Sequence, residues 1–434
     1  MYLNETESTF CTKHYKIFDI ISHTVAKFII RCILKHGDTV FISSRCQFKS
    51  LDENHGEFTI MITDELQMTY FERILKDIEN GHNWEVFASI QMKFEKYRNL
   101  LMPYLEKFNA KFSSSRIDYT TALHVTAAKG YFEISKNLLE KNRKQIYYLD
   151  SKNMSPLHSA SLNDHCELTH LFLKYGARIN QKNSEGYTPM LLSCNYGHVK
   201  VIEILLQKHG NVNKCDNYGW SPLHMAASDG NTDLIKLLVK YKAKVNKQMN
   251  NGMTPLYLAC NFGHLLAVEM LLESKADVKK CETEGWSPIN IACLKGFYDI
   301  VEVLICYGAD VNKDTNTGQT PLYIVCRENH INILKLLLTH GSEINKGDEN
   351  EITPLHMACK KGKLDIVKLL SEFGALTNKC SKSGETPLHC LCYCDDKKQS
   401  NNQSSMGYQL MNLMKVEICN SFWLKIALKI SLNI

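Results

Sequence analysis

Hydrophobic and polar positions recur along most of this chain with a fixed period. One unit reads SPLHMAA over residues 221–227, passes through Gly230 and continues into an apolar ladder over residues 234–238. Each unit begins with a Ser or Thr, here called the anchor. The anchors are Thr121, Ser155, Thr188, Ser221, Thr254, Ser287, Thr320, Thr353 and Thr386. The first interval between anchors is 34 residues and the other seven are 33, so the register indicates tandem structural repeats.

Each unit predicts two helices joined by a short loop. The anchor hydroxyl is a preferred N-cap, because it can accept a hydrogen bond from the first helical turn. Pro usually follows, at the first helical position, where its missing N–H is tolerated. Glycines suited to the left-handed position after the first helix are Gly197, Gly230, Gly263 and Gly296. Residues 199–206 have the amphipathic spacing of a second helix, and the polar segment before the next anchor predicts a projecting turn.

The period and the Thr-Pro-Leu-His-Xaa-Ala core resemble those of the ankyrin-repeat family. Residues 118–394 resemble nine tandem repeats, the last of them truncated. The resemblance implies an all-α fold, a solenoid of stacked helix–turn–helix units with projecting turns, preceded by a mostly helical N-terminal region. Departures are local: no Pro follows Thr121, and Met190 and Asn290 replace the usual Leu and His.

Residues 1–117 lie outside this register. The stretch Phe18–Leu34 predicts a helix, and Thr39–Ser43 and Glu57–Ile62 predict two short strands. Helical periodicity returns over residues 64–112. We interpret this second half as a cap over the apolar face of the first repeat, since the ends of a solenoid must be covered, in preference to a separate binding module.

The C-terminal region also departs from the repeat. Residues 395–409 form a polar linker, and residues 410–434 form an apolar, amphipathic tail with a basic face. The tail is interpreted as a C-terminal cap or, alternatively, as a helix on a membrane surface. Membrane contact is expected only through this tail, and no run of 18 apolar residues predicts a spanning helix.

Composition narrows the choice of partner and compartment. The 51 basic and 46 acidic residues give a net charge of +5, too even to predict a nucleic-acid partner. The polar start of the chain does not resemble a signal peptide. Six of the 17 cysteines occupy the sixth position after an anchor, where Ala127 and Ala227 stand in other repeats. We therefore expect small core residues with reduced thiols, and a cytoplasmic protein, with the nucleus as the alternative.

Candidate catalytic and metal-binding residues are few. The sequence contains none of the phosphate-loop, zinc-protease or nucleophile-elbow motifs. Histidines recur at the fourth position of the unit, which predicts a structural hydrogen bond; they are His124, His158, His224, His356 and His389. The segment HCLCYC over residues 389–394 lacks the paired spacing of a zinc site, so we expect no metal, no cofactor and no enzymatic activity.

A column of lysines recurs seven residues before the anchors. It comprises Lys214, Lys247, Lys280, Lys313, Lys346 and Lys379. Acidic neighbours dilute its charge. We interpret it as a solvated edge in preference to a basic rail for an acidic partner.

Aromatic residues give the best signal for a site. The residue before the anchor is Tyr187, Trp220, Met253 and Trp286 in four successive repeats, and Tyr196, Tyr218 and Phe262 fall at neighbouring positions. The resemblance implies that these positions lie on the concave side that binds partners, and large aromatics dominate interaction hot spots. We predict that these seven residues bind another protein. The alternative is that the rings pack on adjacent turns.

The sequence therefore predicts a non-enzymatic protein-interaction scaffold. Three alternatives remain: a substrate adaptor of a ubiquitin ligase, a membrane-associated tether that uses residues 410–434, or a fragment of a larger channel or toxin. The fold class does not identify the partner.

Overall fold

The structure is a computed structural model that describes residues 24, 26–48, 60–107 and 120–390 of the chain. It divides into two compact units, Met1–Asn217 and Tyr218–Ile434. In the first unit, the residues before the repeats form helices α1 (26–36), α2 (Thr39–Arg45), α3 (Gln67–Glu79), α4 (Asn83–Phe87) and α5 (Glu95–Lys107), strands β1 (Cys46–Phe48) and β2 (Ile60–Ile62), and 3₁₀ turns at Asp64–Leu66 and Ile90–Lys93.

The predicted strand at Thr39–Ser43 is wrong, because these residues begin helix α2. The Asp38 carboxylate caps this helix by accepting a hydrogen bond from the Val40 N–H at 3.2 Å. Thr39, Ile42 and Ser43 are buried, which is the spacing of one helical face. The second predicted strand is confirmed over Ile60–Ile62, where β2 pairs in parallel with β1, and its residues 57–59 lie outside the described residues. The predicted first helix is found over 26–36, and residues 18–23 also lie outside.

An aromatic cluster forms the core of this N-terminal region. The rings of Tyr70 and Phe71 lie 5.5 Å apart, and Tyr97 lies 6.4 Å from Tyr70, all fully buried. The Gln91 amide donates to the Tyr70 hydroxyl at 2.8 Å. Such a cluster combines a large apolar contribution with hydrogen bonds to its hydroxyl groups.

The N-terminal region packs directly on the first repeat. Helix α4 contacts the first helix of that repeat, and α5 contacts its second helix. The buried Asn83 amide donates to the Thr120 carbonyl at 3.0 Å. This is the arrangement that a cap requires, while the domain boundaries drawn from the sequence remain predictions.

Eight helix pairs follow within the described residues. In the first unit they are α6 (Ala122–Lys129), α7 (Phe132–Lys141), α8 (Pro156–Leu162), α9 (Cys166–Lys174), α10 (Pro189–Asn195) and α11 (Val199–Gln207), with a 3₁₀ turn at Arg143–Tyr147. In the second unit they are α12 (Pro222–Ser228), α13 (Thr232–Lys240), α14 (Pro255–Phe262), α15 (Leu265–Glu273), α16 (Pro288–Lys295), α17 (Tyr298–Cys306), α18 (Pro321–Glu328), α19 (Ile331–Thr339), α20 (Pro354–Lys360) and α21 (Leu364–Glu372). A further helix begins at residue 387 and is described to residue 390.

Within each unit the pairs stack in series. In the second unit, α12, α14, α16, α18 and α20 each contact the next, and α13 to α21 do the same on the other side. The described part of the chain is thus an all-α solenoid, apart from the short β1–β2 pair. The cysteines after the anchors are buried in this core as predicted, at Cys194, Cys260, Cys293, Cys326 and Cys359; Cys392 lies outside the described residues.

The anchors and glycines adopt the predicted caps. Ser221 has extended backbone, and its hydroxyl accepts from the His224 N–H while Pro222 occupies the first helical position. Gly263 and Gly296 end their helices with a φ of 79°, a conformation that costs little only for Gly.

The recurring histidines join neighbouring repeats. His224 Nδ1 lies 2.7 Å from Ser221 Oγ, and His224 Nε2 donates to the Met253 carbonyl of the next repeat at 3.2 Å. His158 makes the equivalent bond to the Tyr187 carbonyl at 3.2 Å. Burial lowers the pKa of both imidazoles to about 4, so they are neutral at pH 7. The prediction of a structural histidine is confirmed.

Candidate functional site

The turn before each anchor is a closed hairpin. In the sixth repeat the Glu282 N–H donates to the Trp286 carbonyl at 3.0 Å. The Glu282 carboxylate also accepts from the Glu284 and Trp286 N–H groups, each at 2.9 Å. A side chain at the start of the turn therefore fixes the residue that precedes the anchor.

Backbone bonds connect the tips of successive turns in the second unit. The Asn250 N–H donates to the Tyr218 carbonyl, and the Thr283 N–H donates to the Asn251 carbonyl, both at 3.1 Å. Equivalent positions of successive repeats therefore lie side by side. This brings five of the predicted residues onto three stacked repeats: Tyr218, Trp220, Met253, Phe262 and Trp286, which we call the aromatic face.

Exposure differs between the two kinds of position on this face. Tyr218 at a turn tip is 68% exposed, and Phe262 at the end of α14 is 51% exposed. Trp220, Met253 and Trp286 are half-buried. The residues before the anchors are therefore less exposed than the turn tips, because the closed hairpin folds them back toward the first helix. The Trp220 ring, for example, meets the His224 ring edge-on at 6.4 Å.

The exposed rings at the helix ends rest on fixed histidines. Phe262 stacks on His264 at 6.5 Å, and His264 Nε2 donates to the Ser228 carbonyl at 2.9 Å. The two other predicted residues belong to the first unit. There, Tyr196 is 59% exposed and stacks on His198 at 6.1 Å, while Tyr187 is half-buried in its turn. An exposed ring held by such contacts loses little further freedom on binding.

The lysine column has a role that sequence reasoning missed. Lys280, Lys346 and Lys379 each donate to a backbone carbonyl of the preceding repeat, at 3.1, 3.2 and 3.0 Å. Lys346 Nζ also lies 3.2 Å from the Asp314 carboxylate. These three ammonium groups fasten repeat to repeat, whereas the sequence interpretation left them in solvent. The recurrence at a fixed position was the available signal.

The asparagines that precede these lysines in sequence bond to the following repeat, whereas the lysines bond to the preceding one. Asn246 Oδ1 accepts from the Asp277 N–H of the next repeat at 2.7 Å, and Asn312 Oδ1 accepts from the Glu343 N–H at 2.7 Å. Polar turn residues are thus part of the frame that holds the aromatic face.

No cluster of metal-binding side chains occurs among the described residues. His389 Nδ1 lies 2.8 Å from its anchor Thr386 Oγ1, and residues 391–394 lie outside the described part of the chain. Burial raises the pKa of the Cys260, Cys293 and Cys326 thiols well above its ordinary value, so these sulfurs are protonated and unreactive. Among the helices in the described part of the chain, none combines the length and apolar character needed to cross a membrane.

Comparison with known proteins agrees with this architecture. The family model described as ankyrin repeats, in three copies, matches overlapping windows at residues 90–183, 166–249, 190–281, 227–315, 275–348 and 322–400.

Individual relatives match over shorter stretches. The chain is 32% identical over 93 residues to the transient receptor potential cation channel subfamily A member 1 of Drosophila melanogaster, which is 20% of this chain and 8% of that protein. It is 30% identical over 71 residues to alpha-latrocrustotoxin-Lt1a of Latrodectus tredecimguttatus, which is 16% of this chain and 5% of the toxin. The aligned stretches thus cover a small part of each relative. Because the family model spans well over half of the sequence and the stacked helix pairs agree with it, this chain belongs to the ankyrin-repeat family.

Proposed function

We propose that this protein is a non-enzymatic scaffold and that its second unit binds a partner protein on the aromatic face. Ankyrin repeats generally mediate protein–protein interaction. The observation that supports this surface is the exposure of Tyr218 and Phe262 on a frame that hydrogen bonds already fix. Tyr187 and Tyr196 remain candidate contact residues of the first unit.

Aromatic side chains on a rigid frame favour binding for two reasons. Each ring removes a large apolar area from water when a partner covers it. Its ordering cost on association is small because the turns and stacked histidines already hold it. The half-buried Trp220 and Trp286 then serve as hot-spot residues at the centre of the contact, with Tyr218 and Phe262 around them.

The residues suited to catalysis have structural roles instead. His158 and His224 bond the anchor of their own repeat through Nδ1 and a carbonyl of the next repeat through Nε2, and burial raises the pKa of the core thiols so that they stay protonated. These engagements support the non-enzymatic proposal.

Affinity capture tests the surface. The full chain and the double variant Trp220→Ala/Trp286→Ala are used as bait in extract of the source cell, and the partner that is retained is then purified for titration. We expect the double variant to weaken binding by roughly 100- to 1000-fold, because each hot-spot truncation costs about 2 kcal/mol and two such costs do not add in full.

The chain itself supplies the matched control. Gln319 and Ile352 occupy the same position before the anchors of later repeats. The variant Gln319→Ala/Ile352→Ala should retain the partner, and circular dichroism should show both variants folded. Equal capture by wild type and the tryptophan variant would remove the aromatic face as the site.

The ubiquitin-ligase adaptor and the membrane tether both depend on residues 410–434, which lie outside the described residues. No observation on the described residues favours either. Deletion of residues 410–434 separates them from the scaffold proposal, since capture by the aromatic face should survive the deletion.

A further inference from the structure

A cleft in the first unit gathers positive charge. It has a volume of about 420 Å³ and lies where the 3₁₀ turn Ile90–Lys93 and helix α5 meet the loop between α6 and α7. Its charged lining residues are Lys93, Arg98 and Lys129, and no acidic side chain lines it among the described residues. The chain as a whole has nearly equal numbers of acidic and basic residues, so this local excess stands out.

Packing holds two of the three cations in place. One nitrogen of Arg98, Nη1, donates to the Met92 and Lys93 carbonyls at 2.8 and 2.9 Å, and the guanidinium lies 5.3 Å from the Tyr131 ring centroid. Lys129 Nζ lies 5.0 Å from the Trp84 ring centroid. Neither residue forms an ion pair with a carboxylate in the described part of the chain. Arg98 Nε and Nη2 also find no acceptor there.

A serine side chain belongs to the same lining. Ser89 lines the cleft, and the residue is 9% exposed. This hydroxyl can donate one hydrogen bond to an oxygen of an anion in the cleft. Tyr131, whose ring lies beside the Arg98 guanidinium, also lines the cleft.

We propose that this cleft binds a phosphate monoester, with Arg98 as its main ligand and Lys93, Lys129 and Ser89 around it. A guanidinium presents parallel N–H donors that fit two phosphate oxygens, and fixed ammonium groups neutralise the remaining charge. The volume exceeds that of a bare phosphate group and leaves room for the group that carries it. The monoester comes either from a soluble molecule or from a lipid headgroup, and the chemistry of recognition is the same.

Binding to the full chain is measured by calorimetry with inorganic phosphate and pyrophosphate at constant ionic strength, and by sedimentation with phosphatidylcholine vesicles with and without phosphatidic acid. Wild type should bind a soluble phosphate with a Kd of about 1 mM or tighter, or bind only the vesicles that contain phosphatidic acid. The first outcome assigns the soluble source and the second assigns the lipid. Failure to bind any of these probes would overturn the proposal.

Variants show whether the bound phosphate occupies this cleft. The change Arg98→Lys keeps the charge but removes the parallel N–H donors of the guanidinium, and should weaken binding about tenfold or more. Because Arg98 also bonds two carbonyls, the double variant Lys93→Gln/Lys129→Gln and the variant Ser89→Ala provide a second test, each with an expected loss of at least about threefold. Lys236→Gln, which alters an exposed lysine of the second unit, should bind as wild type does. Undiminished binding by Ser89→Ala and the double lysine variant would place the phosphate elsewhere and refute this site.

Discussion

The sixth and seventh repeats share one backbone and differ in the side chain they present. In the sixth, the turn closes from the Glu282 N–H to the Trp286 carbonyl at 3.0 Å; in the seventh, it closes from Thr315 to Gln319 at 3.1 Å. Glu282 and Thr315 each accept a hydrogen bond from the residue before the anchor. Yet Gln319 accepts from Arg327 Nη1 at 2.8 Å, where the earlier repeat has an indole. The turn does not need the tryptophan.

This difference distinguishes residues whose side chains hold the repeat together from residues whose side chains can change without altering its backbone. Anchors, capping histidines and the polar side chains that begin the turns, such as Glu282 and Thr315, recur because each satisfies backbone groups that would otherwise be unpaired. The residue before the anchor contributes its carbonyl to the frame whatever its side chain is. Five predictions test this distinction, in order from the largest expected effect on stability to the smallest.

Breaking the core of the frame should have the largest effect. Leu256 is 1% exposed in α14, and Leu256→Ala leaves a cavity between the fifth repeat and its neighbours. We expect a loss of roughly 2–5 kcal/mol in the free energy of unfolding, measured by urea denaturation. Because neighbour contacts carry a solenoid, hydrogen exchange should rise most in the fourth to sixth repeats. A uniform rise over all of the repeats in the second unit would contradict this local response.

Acid should weaken the histidine bonds between repeats. The pKa of His224 is about 4 in the folded chain and 6.5 in the unfolded chain, so the unfolded chain takes up the proton first as pH falls. This contribution to stability is complete above pH 6.5 and is lost toward pH 4, by up to about 3 kcal/mol per histidine.

The sixth repeat provides the control for that titration. Asn290 occupies the histidine position, where its amide oxygen accepts from the Ser287 N–H at 3.1 Å and its amide nitrogen donates to the Lys313 carbonyl at 3.0 Å. The variant His224→Asn should therefore reduce the loss of stability between pH 6.5 and 4 in denaturation curves. An unchanged pH dependence would show that other groups control it.

Alanine substitutions at two glycines with nearly the same φ should distinguish the cost of backbone strain from the cost of a steric clash. Gly263 has a φ of 79° and a Cβ there would lie 2.7 Å from the Phe297 ring, whereas Gly308 has a φ of 81° and open space around it. Gly308→Ala should cost about 1 kcal/mol, and Gly263→Ala roughly 1–3 kcal/mol. Thermal denaturation measures both. Equal losses would mean that the Phe297 ring moves aside freely.

Removing the presented side chain should affect binding more than folding. Trp286 is half-buried and its backbone supplies the turn, so Trp286→Ala should cost about 1 kcal/mol in stability. The same variant should lose most of the affinity for the captured partner. A loss of stability as large as that of Leu256→Ala would make this ring part of the core and count against a binding role.

The smallest effect is expected at the lysine column. Lys346 is about a third exposed and pairs with Asp314 at 3.2 Å. Partly exposed pairs of this kind contribute roughly 0–1 kcal/mol, so Lys346→Gln should lower the free energy of unfolding, measured by urea denaturation, by no more than that. The loss should be smaller at high salt, which screens the pair. A shift above about 1 kcal/mol would mean that its bond to the Asn312 carbonyl matters more than the ion pair.

Local chemistry made much of this structure predictable. The anchor at Ser221, the proline after it and the glycine at the helix end each act within a few residues, so their effect can be inferred from sequence. The recurrence of histidine at one position of the repeat then indicated a structural role for these residues. The strand predicted at Thr39–Ser43 failed because Val40 and Phe41 have high strand propensity, while the burial of Ile42 and the cap from Asp38 favour a helix.

The sequence by itself determined the repeat, its helices, its caps and its membership of the ankyrin-repeat family, because each depends on short-range spacing. Only the tertiary structure decided the depth of Trp220 and Trp286, the bonds of the lysine column and the assembly of the phosphate cleft. Lys280 reaches the carbonyl of Asn246, and the Arg98 guanidinium packs on the Tyr131 ring, each across more than thirty residues of chain. Such contacts depend on how helices stack, and the spacing of residues within one repeat does not specify them.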